Sequence, residues 1–372
     1  MILTLFVSFF TMVGFFLLLS VVPQYAEAAG GGSSGAGLAT AVFMLSTVLA
    51  QAWMPRLLAR FGYRSVLAVG LLLLGLPAFL YVPLGEVLAI LAVTLVRGAG
   101  FGVAIVALAA LVTELAPPGR RGEALGLYGV ALALPTTFCG ALGLWLVERF
   151  GYGPVFLIGA SASLLAFVAA LGISSPDERE ERRSPGGLLA GLGRGPLLKI
   201  FLLFASCTAA SGVVVTFLPL SAPGPGLFSA ATALLLLGIA STFLRWWAGR
   251  FGDRRDPHLL LAPGLICAAL GMVGLSFEGL VLLGGALLFG AGFGVLQNTS
   301  LLLIMQRVPK AEYGLGSTLW NLAFDAGTGA GAFVFGFVIG AAGFSLTFFL
   351  CAVLLVAALA LIPVPERASF PR

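Results

Sequence analysis

Two charged residues lie deep inside long apolar runs of this sequence. Asp325 lies ten residues into the apolar run 315–340, and Arg97 lies ten residues into the apolar run 87–115. A charge at the centre of a bilayer costs roughly 2.5–3.5 kcal/mol even on a lenient insertion scale, so such a residue faces a cavity or a partner. Both positions are therefore predicted to be functional.

The chemistry open to these two residues differs. An intramembrane carboxyl can bind and release a proton, so Asp325 is our candidate for coupling substrate movement to protons. A structural hydrogen-bond anchor and a direct substrate contact remain alternatives for Asp325. For Arg97 the hypothesis is contact with substrate anions or modulation of a proton site, and the alternative is a structural pair.

Uncharged polar side chains in other apolar runs supply candidates for a hydrogen-bonding substrate cavity. Asn321 lies one helical turn before Asp325, on the same face. Adjacent amides in an apolar helix need partners, whereas single hydroxyls often bond their own helix backbone. The predicted cavity residues are Asn321, Gln297, Asn298, Gln51 and Thr137, and weaker candidates are Thr136, Thr208 and Ser211.

The elements that must position these residues are membrane helices. The chain has 372 residues, of which 60% are hydrophobic and 9% charged, and its mean hydropathy is +1.09. Soluble domains are about one quarter charged, and a transmembrane helix needs about 20 apolar residues. The predicted fold is therefore an all-α polytopic membrane protein. Its twelve apolar runs are 2–22, 36–54, 65–82, 87–115, 124–147, 154–173, 198–220, 228–247, 258–276, 280–305, 315–340 and 344–363.

One longer connection divides the twelve runs into six and six. Residues 174–197 combine a run of charges with proline and glycine, which is typical of a linker. The sequence thus predicts an N-terminal six-helix bundle over 1–173, a cytoplasmic linker, and a C-terminal six-helix bundle over 198–372.

The basic residues predict the orientation of the chain in the membrane. With the N-terminus in the cytoplasm, all but Arg97 and Arg149 of the 20 basic residues fall in cytoplasmic segments or their helix ends, Arg245 included. Both termini are therefore expected in the cytoplasm. Arginine far outnumbers lysine, which is typical of a GC-rich bacterial genome and favours a bacterial cytoplasmic (inner) membrane.

The two halves resemble each other. Residues 97–103 read RGAGFGV and 289–295 read FGAGFGV, and the same offset of 192 carries Gly151 onto Gly343. Such a parallel repeat predicts a substrate site between the halves at the membrane midplane, although apolar helices also resemble each other by chance. The four-residue glycine ladders predict packing seams between helices. They are Gly98/Gly102, Gly290/Gly294, Gly327/Gly331 and Gly336/Gly340.

Over essentially its whole length the sequence resembles the major facilitator superfamily. The family hallmark Gly-x-x-x-Asp-Arg-x-Gly-Arg-Arg follows spans two and eight. Its second copy is present here as Gly249, Asp253 and Arg254. In the first copy Arg60 and Arg64 match, while Pro55 and Ala59 replace the glycine and the acid. The resemblance implies two pseudo-symmetric six-helix bundles that rock about a central site.

The same resemblance implies a gate at the cytoplasmic ends of the helices. Glu114, at the end of span four, would pair with Arg60, and a bidentate carboxylate–guanidinium pair there would break when the halves rock. A static pair that holds loops together is the alternative. The predicted gating residues are Arg60, Arg64, Glu114, Gly249, Asp253 and Arg254.

Within the family, residues 308–336 resemble the multidrug and sugar-efflux branch. The antiporter signature in span five pairs glycine with proline, but here Leu134 precedes Pro135. This departure weakens the case for export specifically.

The predicted function is secondary transport of a small molecule by alternating access, with proton-coupled export of a lipophilic or drug-like compound as the first choice. Proton-coupled uptake of a small metabolite, and a receptor or scaffold that does not transport, are the alternatives. No nucleophile–base pair, metal-ligand spacing or GxxxxGK[ST] loop is present, so neither an enzyme, a cofactor, a metal site nor ATP drive is expected. The expected partners are the substrate, protons and the bilayer, not nucleic acid, and the expected state is a monomer.

Overall fold

The computed structural model describes residues 2–115, 121–173, 193–222, 226–309 and 312–363. Within these ranges the chain consists of helices joined by short turns. The α-helices are α1 Ile2–Leu19, α2 Val21–Ala26, α3 Gly32–Gly75, α4 Val87–Leu115, α5 Arg121–Phe150, α6 Tyr152–Ala170, α7 Gly195–Ser221, α8 Ala230–Gly252, α9 Leu261–Gly274, α10 Gly279–Gln306 and α11 Tyr313–Ala357. A π-helical turn covers Glu27–Gly31, and 3₁₀ turns cover Leu76–Tyr81, Pro257–Leu260 and Ala358–Leu361.

The polytopic all-α fold is confirmed, with ten helices in the described ranges long and apolar enough to cross a membrane. Two of these are long continuous helical stretches: Ile2–Met54, which runs from α1 into α3, has 53 residues, and Leu315–Leu361, in α11 and the 3₁₀ turn after it, has 47. At 1.5 Å per residue each would be more than twice as long as the ~30 Å hydrocarbon core. Each contains a glycine with positive φ, Gly30 (97°) and Gly343 (78°). Dividing them there would give twelve segments, the number that the sequence predicts.

Two of the glycines that interrupt the helices are equivalent in the internal repeat. Gly151, between α5 and α6, has φ 78° and ψ −179°, and Gly343, inside α11, has φ 78° and ψ 175°. Positive φ with extended ψ is a conformation that only glycine adopts at low cost. The two glycines aligned by the repeat thus have the same backbone geometry.

The glycine ladders pack helices closely in both halves, as the sequence predicts. In the first half, a methyl group added at Gly102 of α4 would lie 2.5 Å from the carbonyl oxygen of Thr47 in α3. In the second half, one added at Gly294 of α10 would lie 2.1 Å from the carbonyl oxygen of Ser241 in α8. Corresponding helices therefore meet at corresponding glycines. There the backbones can approach closely because the side chain is a single hydrogen atom.

The two halves of the chain contact each other tightly at one end of the bundle. Ser33 Oγ donates to the carbonyl oxygen of Gly336 at 3.1 Å, and the hydroxyls of Thr40 and Thr216 lie 2.8 Å apart. Gly37 packs directly on the backbone of α11. We call this contact the seal; it consists of Ser33, Gly37, Thr40, Thr216, Phe217, Ala332 and Gly336.

The opposite end of the bundle carries several basic residues. Arg60 lies near Gly62, which interrupts α3 with a φ of 74°, while Arg254 follows α8 and Arg307 follows α10. We call this the basic end. Towards it, α3 exposes Arg56 and α11 exposes Asn321. The seal thus closes one end of the interface between the halves, and towards the basic end each half has an exposed polar side chain.

Candidate functional site

A cavity with an empty volume of about 760 Å³ lies between the two halves. Helices α1, α3 and α5 line it from the first half, and α7, α8, α10 and α11 from the second. Its wall is mostly aromatic and aliphatic, with a few hydroxyls and one amide. The lining residues are Phe16, Leu19, Ser20, Met44, Thr136, Thr137, Gly140, Ala141, Ser211, Val215, Leu234, Leu237, Gly238, Ser241, Phe293, Gln297, Phe324 and Thr328.

Two of the predicted cavity residues, Thr137 and Gln297, line this cavity. Thr137 also joins the halves, because its hydroxyl lies 2.7 Å from that of Thr242 in α8. Gly238 makes this approach possible, since a methyl group there would lie 2.5 Å from the carbonyl oxygen of Thr137. Of the weaker candidates, Thr136 and Ser211 line the cavity as well.

A further contact between the halves joins a predicted cavity residue, Gln51, to the predicted proton-coupling residue, Asp325. Gln51 of α3 donates from Nε2 to Oδ2 of Asp325 in α11, at 3.0 Å. Asp325 is buried, with 7% of its surface exposed. Along α11, Asp325 lies between Asn321, whose side chain is exposed, and Gly336 of the seal. Asp325 is the ionisable member of its contact with Gln51.

A network that the sequence analysis missed surrounds Gln297. Arg245 of α8 donates from Nη1 to Oε1 of Gln297 at 3.3 Å, and its Cζ lies 6.0 Å from the ring centroid of Trp320. The Trp320 indole donates to the carbonyl oxygen of Gln297 at 3.2 Å and to Ser300 Oγ at 3.0 Å. Arg245 had been assigned to a cytoplasmic segment, but it lies within α8, seven residues before its end.

Thr328 was also missed. It lines the central cavity with 4% of its surface exposed, and its Oγ1 has no hydrogen-bond partner among the described residues. An unpaired buried hydroxyl costs free energy, so it marks a position where a ligand group can bond. The signal was present in the sequence, because Thr328 follows Asp325 by three residues on one helical face.

Arg97 lies away from the central cavity, inside the first half. Its Nε donates to the carbonyl oxygen of Leu74 at 3.1 Å, Nη2 to that of Gly14 at 3.4 Å, and Nη1 to Tyr81 Oη at 3.5 Å. Only 2% of its surface is exposed. It borders a separate space of about 260 Å³, which Phe43 also lines.

The two predicted asparagines lie at the sides of the cavity. Asn321 is exposed towards the basic end, and its Nδ2 donates to the carbonyl oxygen of Ser317 at 2.9 Å. Asn298 faces α8, where a methyl group added at Gly249 would lie 3.3 Å from its Nδ2. Neither side chain belongs to the cavity lining.

The predicted gating residues lie at the basic end, in separate groups. Arg60 lies over the ring of Phe61, with Cζ 5.2 Å from the centroid, and Arg64 Nη2 donates to the carbonyl oxygen of Leu171. Glu114 is the penultimate residue of α4, and its side chain lies outside the described part of the structure, as does any pair with Arg60.

The second copy of the predicted gating motif lies at the C-terminal end of α8. Gly249 accepts a hydrogen bond at its carbonyl oxygen from the Asp253 N–H at 3.1 Å, and the Arg254 N–H donates to the carbonyl oxygen of Phe251 at 3.0 Å. Because Gly249 contacts Asn298, this copy is packed against α10 of its own half.

Comparison with known proteins identifies the architecture. The model of the Major Facilitator Superfamily matches residues 4–332. A Lactococcus lactis protein named multi-drug resistance efflux pump PmrA homolog is 25% identical over 198 residues, which are 50% of this chain and 48% of that protein. The chain thus spans about half the length of this relative.

Solved structures share the fold over nearly the whole chain. The inward open conformation of the xylose transporter XylE from E. coli has a TM-score of 0.78 at 16% identity, covering 98% of this chain and 96% of that one. The nucleoside transporter NupG has a TM-score of 0.78 at 13% identity, covering 98% and 100%. At these identities the likeness is one of fold alone.

Proposed function

The chain belongs to the major facilitator superfamily, whose members are multi-pass membrane transporters rather than enzymes, and we propose that it exports a largely apolar small molecule in exchange for protons. The observation that carries this proposal is the hydrogen bond between Gln51 and Asp325 across the interface of the halves, beside the central cavity. The fold is that of alternating-access transporters.

Proton coupling follows from the chemistry of that contact. An ionised carboxylate only accepts hydrogen bonds, and a bond to it is about twice as strong as a neutral one. Protonation of Asp325 would therefore weaken its bond to Gln51 and loosen the contact between α3 and α11. In this way the occupancy of one proton site changes the free energy of separating the halves.

The cavity wall supports a lipophilic substrate. Phe16, Phe293 and Phe324 contribute rings, and these three rings together with the six aliphatic side chains outnumber the seven polar ones. A polyhydroxylated sugar would leave many hydroxyls without partners in such a wall, at a cost of about 1–3 kcal/mol each. Export as the direction is supported by the efflux pump to which half of the chain is similar.

We place the basic end in the cytoplasm, with both termini there, as the distribution of basic residues predicts. The cavity described above is then accessible from the cytoplasm and closed outside. The halves that rock are 1–173 and 198–372, joined by the linker 174–197, and the working unit in this proposal is one chain.

Proteoliposomes test this function. Purified protein is incorporated into vesicles that contain a pH-sensitive dye, a proton gradient is imposed, and lipophilic drugs and small metabolites are added in turn. Export by exchange predicts proton movement opposite to compound movement, for lipophilic compounds and not for sugars. Proton and compound moving together would overturn export, and no response to any compound from folded protein would overturn coupled transport.

A further inference from the structure

A positively charged side chain, Arg245, lies beside the central cavity and donates a hydrogen bond to Gln297 of the cavity lining. We infer that the substrate of the proposed transport is an amphipathic organic anion, whose carboxylate or equivalent group is bound by Arg245. This inference rests on the proposed function and specifies the substrate class of the same site.

The position of Arg245 directs it to the space between the halves. It follows Gly238 by seven residues and Thr242 by three, and both of these residues contact Thr137 of the other half. Residues at these spacings share one helical face. Arg245 is exposed although it lies about 10 Å along α8 from the helix end. Exposure on this face is exposure to the gap between the halves rather than to lipid, where a charge is costly.

The guanidinium is held in place by its neighbours. Gln297 accepts a hydrogen bond from one N–H group of the guanidinium, and the ring of Trp320 lies beside the guanidinium. Trp320 is itself fixed by its two indole hydrogen bonds and by stacking on Phe204 at 5.1 Å between centroids. A guanidinium has five N–H donors in a planar fork that matches a carboxylate. With Gln297 using one, a fork remains for a ligand.

The charge of Arg245 is not neutralised within the protein. Among the described residues, no carboxylate lies within salt-bridge distance of Arg245. The buried acid of the same half, Asp325, accepts a hydrogen bond from Gln51 instead. The amide of Gln297 orients the arginine but carries no charge. A preorganised, unpaired cation beside an apolar cavity favours an anionic ligand and disfavours a cationic one.

The rest of the cavity defines the body of the ligand. Its apolar part would lie among the rings of Phe16, Phe293 and Phe324. The unpartnered hydroxyl of Thr328 would bond a second polar group, such as a hydroxyl or carbonyl. The predicted class is therefore an aromatic or long aliphatic body with one acidic group.

Three probes with the same hydrocarbon body test the charge preference. 4-Phenylbutyrate, 4-phenylbutyramide and 4-phenylbutylamine carry negative, zero and positive charge, and their binding to purified full-length protein is measured by calorimetry. The wild type should bind the carboxylate about tenfold or more tightly than the amide, the ratio expected for a charge-assisted bond, and the amine weakest. Equal binding of all three, or tightest binding of the amine, would overturn the inference.

Variants assign the preference to Arg245. Arg245→Gln should remove the preference for the carboxylate, and Arg245→Lys should keep part of it. Arg250→Gln is the matched control, because Arg250 is on the same helix but lies over Trp246 instead of Gln297. Gln297→Glu retains the arginine while giving it an internal carboxylate, so it should also weaken carboxylate binding about tenfold or more. A preference that survives both Arg245→Gln and Gln297→Glu would overturn the assignment.

The two proposals fail in different ways. Carboxylate binding that depends on Arg245, together with vesicles in which no compound moves protons, would refute coupled export and leave the anion site in place. Proton movement driven by neutral or cationic lipophilic compounds, unchanged by Arg245→Gln, would refute the anion site and leave coupled export in place.

Discussion

The side-chain amide of Gln51 and the carboxylate of Asp325, 274 positions apart in the chain, meet at 3.0 Å across the interface of the two halves. The hydroxyl contacts Thr40–Thr216 and Thr137–Thr242 also cross this interface, but neither contains an ionisable group. Protonation or deprotonation of Asp325 can therefore alter the interface, whereas the two hydroxyl pairs contain no group whose charge changes.

Asp325→Asn should abolish proton movement that depends on substrate, down to the level of protein-free vesicles. An asparagine can keep a hydrogen bond to Gln51 but cannot bind and release a proton, so expression and substrate binding should change little. Dye-loaded proteoliposomes measure the proton movement and calorimetry measures the binding. Asn321→Ala, one turn away on the same face, is the control and should retain coupling; wild-type coupling in Asp325→Asn would remove this residue from the mechanism.

Gly37→Leu should prevent the seal from closing. Even the first carbon of the new side chain would lie 2.4 Å from the carbonyl oxygen of Ala332 and 3.2 Å from the Cα of Gly336. The population should shift towards the conformation open at the sealed end. A cysteine at Thr40, which is 2% exposed in the seal, reports this shift by reaction with a membrane-impermeant maleimide.

The control for the seal is Gly129→Leu in α5, where an added carbon would have no neighbour within 4 Å. The Thr40→Cys reporter should stay unreactive in that background. Equal reactivity with and without Gly37→Leu would contradict the role of Gly37 in closure.

Gly331→Ala should destabilise the second half by about 1–3 kcal/mol, the usual cost of overpacking. The added methyl would lie 2.1 Å from the carbonyl oxygen of Ala209, where α11 crosses α7. Thermal unfolding in detergent measures the loss. Gly284→Ala in α10 is the matched control, because its methyl meets no atom within 4 Å and alanine favours helix. Equal midpoints for the two variants would refute tight packing at Gly331.

The contribution of the Arg194–Glu312 ion pair should disappear in acid. The hydrogen bond from Arg194 Nη1 to Glu312, 2.7 Å long, lowers the pKa of the Glu312 carboxyl below its usual 4.5. A lowered pKa stabilises the folded state above that usual value, and the stabilisation is lost as pH falls through the lowered one.

Glu312→Gln tests this ion pair. The difference in melting temperature between wild type and Glu312→Gln should be constant near neutral pH and vanish well below pH 4.5. It should be small and decrease with added salt, because Arg194 is exposed and Glu312 is partly exposed. A difference that grows on acidification would contradict the direction of the pKa change.

Much of the packing within each half follows from the sequence. The repeat of GAGFGV predicted that α4 and α10 occupy equivalent positions, and Gly102 and Gly294 approach equivalent neighbours. The equivalence of Gly151 and Gly343 also appears as the same backbone conformation. Close packing in lipid depends on small residues at fixed spacing, which is a local property that one chain segment encodes by itself.

The contacts between halves could not be predicted in the same way. Gln51 and Asp325 were each singled out, but their pairing depends on how α3 and α11 are aligned by the seal. Arg245 was assigned to the cytoplasmic side because it stands near the end of an apolar run, and hydropathy does not record which face of a helix a side chain occupies. Its partner Gln297 lies on another helix, so the network becomes visible only in three dimensions.

The composition of the seal bears on how the membrane potential acts on this transporter. Its described contacts involve hydroxyls, backbone oxygens, glycines and apolar side chains, none of which carries a net charge. Moving an elementary charge across 100 mV changes the free energy by about 2.3 kcal/mol, whereas separating uncharged groups transfers no charge across the field. Opening of the seal is therefore expected to be electrically silent, and any current per cycle would report the balance between the proton on Asp325 and the charge of the cargo.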